Sequence, residues 1–313
     1  MAGLPDFESE EFKSVKPKRP PVAQIINPRM NKGKMLPWGF AITDKNAEDA
    51  GFTPPSGWET HDYLFKTAPT SEKVHFCVEP SLLIIYKTPL YLKLRETGEM
   101  IGEMRDHQKD FFDNKERYKV CSYAWCYILD ENNNRANNEP ILIALAGSSG
   151  ATFNASWLQE STTGKNQKPR SGSCFDLEKI YHAARNQSYK PMGDLFHAHC
   201  IYRPIFEVSE RGSGANTADV AVVERYHPPT IESLIPNGSE LSTIINISRE
   251  SVKDWRPASI KKFAANAPQE NHDGYDAGYS YMDDEEPSYS APVPVKPVVS
   301  GNDQKNGIQA PSF

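Results

Sequence analysis

The sequence predicts a mainly β, α+β fold with a few helices. Three observations predict it. In 313 residues, 25 prolines and 19 glycines punctuate the chain, short β-branched and aromatic segments recur between turn-forming clusters, and helical periodicity is confined to a few stretches. With 38% hydrophobic and 24% charged residues, the chain has enough apolar surface for one large core.

Residues 1–20 read as a flexible basic and proline-rich arm, because Lys16-Pro17-Lys18-Arg19-Pro20-Pro21 bars a helix. A β-rich binding domain is expected over 21–267. Its first strands are Val22 to Ile26 and Trp38 to Thr43, joined by the polar stretch from Asn27 to Lys34. After a Gly-, Pro- and Thr-rich loop at 51–57 come strands at Val74 to Val78 and Leu82 to Tyr86. The clearest hairpin follows: Leu90 to Arg95 alternates Lys93 and Arg95 with apolar neighbours, residues 96–99 turn, and Met100 begins the return.

The segment 109–118, with Phe111 and Phe112, predicts a short helix or an ordered loop. Val120 to Leu129 is a strand with Tyr123, Trp125 and Tyr127 alternating onto one face, ended by turn chemistry at Asp130-Glu131-Asn132. Ile141 to Leu145 predicts a buried strand, and 151–160 a helix. Ser161 to Gly172 reads as a loop carrying Lys165, Lys168 and Arg170. The best helical stripe, Leu177, Ile180, Tyr181 and Ala184, follows Asp176 as the expected N-cap. Two strands, 196–208 and 218–225, flank a long polar turn, and a last helix is expected over 241–256.

Residues 268–313 are aromatic, acidic and poor in aliphatic side chains, a composition expected to stay disordered. The net charge of −6 is concentrated there: from Asn271 onward seven acidic residues stand against two basic, leaving the body near neutral. Between Lys13 and Lys34, by contrast, there are seven basic residues and no acidic one.

Neither a leader with an apolar centre nor a membrane-spanning run is expected, and the five scattered cysteines read as reduced thiols, both pointing to a cytoplasmic protein. His197-Ala198-His199-Cys200, with Cys174 and His182 upstream, invites a metal site. However, no paired Cys-x-x-Cys or His-x-x-x-His spacing supplies the remaining ligands. Gly147-Ser148-Ser149-Gly150 lacks the spacing of a nucleophile elbow, and neither Gly33-Lys34 nor Gly164-Lys165 completes a phosphate loop. No enzymatic activity, catalytic residue, metal or cofactor is therefore expected.

What the pattern does favour is single-stranded nucleic acid, which is held by cations that track phosphates and by rings on which bases stack. The candidate cations are Arg29, Lys32, Lys34, Lys87, Lys93, Arg95, Lys165, Lys168 and Arg170. The candidate rings are Trp38, Phe40, Tyr86, Tyr91, Tyr123 and Trp125. An open channel shared by both sets is the expectation.

The near-neutral body with basic patches, the acidic run Asp283-Asp284-Glu285-Glu286 and the ending Pro311-Ser312-Phe313 together resemble the layout of bacterial and phage single-stranded DNA-binding proteins. That resemblance implies an elaborated OB-like antiparallel barrel, which the order of strands and helices permits without requiring, as a body that binds DNA, or RNA, in replication or recombination, and a tail that recruits replication or repair proteins. Here the acids precede the terminus by more than two dozen residues, and a serine parts the proline from the last phenylalanine. The rival reading is a non-enzymatic interaction or assembly subunit of a phage or plasmid system. A homo-oligomer is compatible with both.

Overall fold

The computed structural model describes residues 19–257 except 32, 66–67, 162–167 and 213–216. The expected arm up to Lys18 and the expected tail from Pro268 lie outside them. Strands dominate. β1 (Val22–Ile26), β4 (Gly39–Thr43), β5 (Glu59–Tyr63) and β6 (Glu72–Cys77) form one half of a ten-stranded sheet. β7 (Ser81–Lys87), β8 (Tyr91–Leu94), β9 (Met100–Glu103), β10 (Tyr118–Leu129), β11 (Ile141–Ala146) and β12 (Ile201–Tyr202) form the other. Two hairpins stand apart, β2 (Met30–Asn31) with β3 (Lys34–Met35), and β13 (Pro204–Arg211) with β14 (Ala218–Tyr226).

The main order is β12-β7-β10-β11-β1-β4-β6-β5, with β8 and β9 appended beside β10. The mainly β expectation holds, but closure into an antiparallel barrel is not among the described strand pairs. The sheet is open, and it is mixed because β1 runs parallel to β11, pairing Val22 with Leu142. β7 and β8 lie along the same edge of β10 as one interrupted strand. Pro89 breaks the run, and Thr88 mends it by donating its amide to the Tyr123 carbonyl at 2.8 Å while its hydroxyl accepts from the Tyr123 amide at 3.0 Å.

The helices are α1 (Asp44–Ala50), α2 (Gln108–Asp113), α3 (Gly147–Leu158), α4 (Ser173–Ala184), α5 (Asp194–His197) and α6 (Glu240–Val252). α1 begins where the Thr43 hydroxyl accepts from the Asn46 amide and stops at Gly51, whose φ of 60° is the left-handed cap that glycine takes without strain. At the start of α4 the N-cap is Gly172, not Asp176, which sits in the first turn. A side chain at Gly172 would collide with the Ala155 and Trp157 carbonyls, so the helix can pack against the end of α3 only through a glycine.

β10 explains the two main cores. Its even-numbered residues Ala124, Cys126 and Ile128 join Phe40, Leu82 and Ile143 under α3 and α4. Its odd-numbered residues Cys121, Tyr123, Trp125, Tyr127 and Leu129 join Leu83, Ile85 and Tyr91 under α6. A strand covered on both faces must be apolar at nearly every position, and this one is. No helix among the described residues is long and apolar enough to cross a membrane.

Candidate nucleic-acid interface

Four of the expected rings do converge. Tyr86, Tyr91, Tyr123 and Trp125 all belong to the face of the sheet that lies under α6. They do not form an open channel. Tyr91, Tyr123 and Trp125 are 0%, 4% and 6% exposed, and only Tyr86 is half-buried. The cover is Trp255, just past α6, whose indole meets Tyr123 at 5.2 Å and Trp125 at 5.7 Å between ring centroids, edge to face in both cases. On the same face, the Tyr91 hydroxyl and the Trp125 indole nitrogen are buried without a hydrogen-bond partner.

At the end of this face the register puts Lys93 directly opposite Lys119, two residues along from the pair Tyr91–Cys121 and one beyond Leu92–Val120. Both lysines are half-exposed. Their charges reach the Cys121 thiol and draw its pKa down, while burial acts more strongly and pushes it up to about 11. Just before β10, Phe112 is 59% exposed with the Lys115 ammonium 5.3 Å from its ring centre. Arg117 similarly lies over Tyr118 at 6.0 Å. Lys119, Lys115, Phe112 and Tyr118 were not among the expected site residues. The signal for Lys119 was the strand pattern itself, which pairs it with Lys93 once the hairpin register is drawn.

The remaining expected residues disperse. Phe40 is fully buried in the opposite core, edge-on to Trp58, and Trp38 packs half-buried against that same core. Neither is an open stacking surface. Lys87 points the other way from Lys93, because it pairs with Ala124 on the α3 side. Its ammonium lies 5.1 Å from the Trp157 ring centre, and burial lowers its pKa. Arg95 is held by the Tyr118 carbonyl at 3.0 Å.

Arg170 is structural: it binds Glu160 and the fully buried Glu178. Arg29 donates to the Leu64 carbonyl and lies over Tyr63 at 5.2 Å. Lys34 and Lys168 are exposed, while Lys32 and Lys165 lie outside the described residues. The cations therefore divide among the β2–β3 hairpin, the β8–β10 corner and the α3–α4 region, and a single groove holding all of them is not what the chain builds.

The histidine segment is helical where an extended strand was expected, since His197 closes α5 and β12 starts only at Ile201. His197 Nε2 bonds Glu178 at 2.6 Å, and Tyr189 donates to the other oxygen of that carboxylate at 2.8 Å. His199 lies between the Leu195 carbonyl at 2.7 Å and the Ser242 hydroxyl at 2.9 Å. These contacts tie α4, α5 and α6 together. No cluster of three metal-ligating side chains occurs among the described residues. The five cysteines are free and buried, and burial raises the pKa of Cys174 well above the ordinary thiol value, which denies it the thiolate that nucleophilic chemistry needs.

The β2–β3 hairpin carries the most exposed apolar pair. Met30 and Met35 face each other across it, 62% and 52% exposed, with Lys34 beside them.

A family model described as a domain of unknown function (DUF5895) matches residues 17–251. No curated protein and no solved structure matches the chain.

Proposed function

The chain belongs to the DUF5895 family, a domain of unknown function, and from its own residues we propose that it binds single-stranded nucleic acid without reading the sequence. The observation that carries this reading is the Lys93–Lys119 pair. Two lysines at one ladder position bring two ammonium groups together at the strand ends, and a phosphodiester chain supplies one anion per nucleotide for such groups to track. The exposed Phe112 under Lys115 offers a ring with a cation at its face close to the same strand. The acid-free run from Lys13 to Lys34 adds long-range attraction.

The role is binding rather than catalysis. It is exercised in the cytoplasm, in keeping with five free thiols, and serves replication or recombination, with the acidic tail as the segment that engages protein partners. An electrophoretic shift with single- and double-stranded oligonucleotides of equal length tests it. Retardation of the single strand in preference to the duplex is expected, and no retardation of either defeats the proposal.

The Met30–Met35 pair favours a second reading, an interaction or assembly subunit, because flexible thioethers on an exposed hairpin adapt to many protein surfaces. Light scattering separates the two: a discrete oligomer that Met30→Lys dissolves, together with an unshifted oligonucleotide, supports this reading instead.

A further inference from the structure

The β2–β3 hairpin is fixed at its root and bare beyond it. At the root the Leu36 amide donates to the Arg29 carbonyl at 2.8 Å, Leu36 packs on the core of Tyr63, Phe65 and Phe76, and the Arg29 guanidinium donates to the Leu64 carbonyl. One pair further out, Met30 and Met35 stand opposite each other, 62% and 52% exposed. Among the described residues the two strands pair only with each other, so each presents one edge to which a further strand can add. Residues directly opposite on a ladder share a face and successive residues alternate. Both thioethers therefore leave by one face, and the next pair, Asn31 and Lys34, leaves by the other.

Such an edge suits an extended segment with rings on one face and an acid on the other, and this chain contains one. Between Asn271 and Val295 there are six acidic residues, four tyrosines and no lysine or arginine. In an extended Tyr279-Ser280-Tyr281-Met282-Asp283-Asp284, the two tyrosines fall on one face and Asp284 on the other. Aromatic rings make favourable contacts with thioether sulfur, and an acid meets opposite charge at Lys34, which closes the acid-free run from Lys13.

The segment can reach. Tyr279 lies 22 residues past Pro257, where the described chain ends, a span of up to about 70 Å, against a radius of gyration of about 18 Å for a body of this size. Tethering also keeps the local concentration of the segment high, so a short contact suffices.

We propose that residues 279–284 add as a strand to the β2–β3 hairpin of the same chain, with Tyr279 and Tyr281 on Met30 and Met35 and Asp284 on the Lys34 side. Main-chain hydrogen bonds along the open edge supply the affinity and the alternating side chains set the register. This docking is independent of nucleic-acid binding, and it covers from within the methionine pair that an assembly partner would cover from outside.

Oxidation of the full chain by dilute hydrogen peroxide, read by peptide mass spectrometry, tests it. The Tyr279→Ala, Tyr281→Ala double variant is expected to oxidise at Met30 and Met35 about threefold faster than wild type, because the docked strand shields both sulfurs. Equal rates in the two proteins overturn the proposal. Chymotrypsin gives the reciprocal measurement: Met30→Ser, Met35→Ser is expected to speed cleavage after Tyr279 and Tyr281 by a similar factor, and unchanged cleavage overturns it.

Both wild-type rates are expected to hold constant when the protein is diluted. Oxidation at Met30 that quickens on dilution puts the segment of a second copy on the hairpin and overturns the assignment to one chain. Oligonucleotide plays no part in either readout, so failure here leaves the nucleic-acid reading standing, and failure of that reading leaves the docked strand.

Discussion

Lys93 stands directly across the β8–β10 ladder from Lys119, so the end of the sheet's aromatic face carries two ammonium groups at one position. If a phosphate chain is their counterpart, each lysine contributes one ionic contact. Replacing either with alanine is expected to weaken single-strand binding at every sequence alike and to reduce the slope of log affinity against log salt by about 0.7. Salt-series binding isotherms for wild type and variants check it, and an unchanged slope would contradict it.

Tyr91 offers a prediction about stability alone. Its hydroxyl is buried with no partner in the closed face, so Tyr91→Phe is expected to stabilise the protein by about 1 kcal/mol where most large core substitutions destabilise. A urea midpoint lower than wild type would mean that the hydroxyl has a partner within the fold.

Glu178 is the opposite case. Its carboxylate is fully buried and accepts from Arg170, His197 and Tyr189. Glu178→Ala leaves these three cationic or polar partners facing an empty space and is expected to cost about 3–5 kcal/mol. Denaturant unfolding measures it, and a loss below about 1 kcal/mol would mean that the cluster is wet and weakly coupled.

The thiols set a pH dependence. Burial pushes Cys77 and Cys121 up to about 11 from an ordinary value of 9.0. The folded state then holds these protons longer than the unfolded chain does, so their contribution to stability is complete below pH 9 and is lost as pH climbs toward 11. Cys77→Ala should flatten that decline. At pH 8 an aromatic disulfide reagent is expected to leave the native protein unlabelled and to titrate five thiols after unfolding, matching the five buried free cysteines.

Much of the sheet was legible because local pattern and tertiary role agree. β1, β7, β11 and the β8–β9 hairpin lie where apolar alternation and turn residues put them, and Tyr123, Trp125 and Tyr127 do share a face. α1 was missed although both its signals, the Thr43 cap and Gly51, are local. β5 escaped because Glu-Thr-His-Asp-Tyr is polar at four positions, as an edge strand paired on one side can be. The open channel was misjudged for a different reason. Alternation says which residues share a face but not what covers it, and the cover, Trp255, comes from the far end of the folded chain. Likewise, Lys87 and Lys93 are an even number of residues apart, and although Pro89 visibly parts their strands, nothing in the spacing reveals that they leave the sheet on opposite sides.

The central claim is that a single strand binds this chain through the Lys93–Lys119 corner. Fluorescence anisotropy of a labelled oligothymidylate, titrated with wild type and with the Lys93→Ala, Lys119→Ala double variant across a salt series, tests it most directly. Micromolar or tighter binding at low salt is predicted, weakening linearly with log salt, with a shallower slope for the double variant. Affinity no better than millimolar at low salt, or identical slopes for the two proteins, would contradict it.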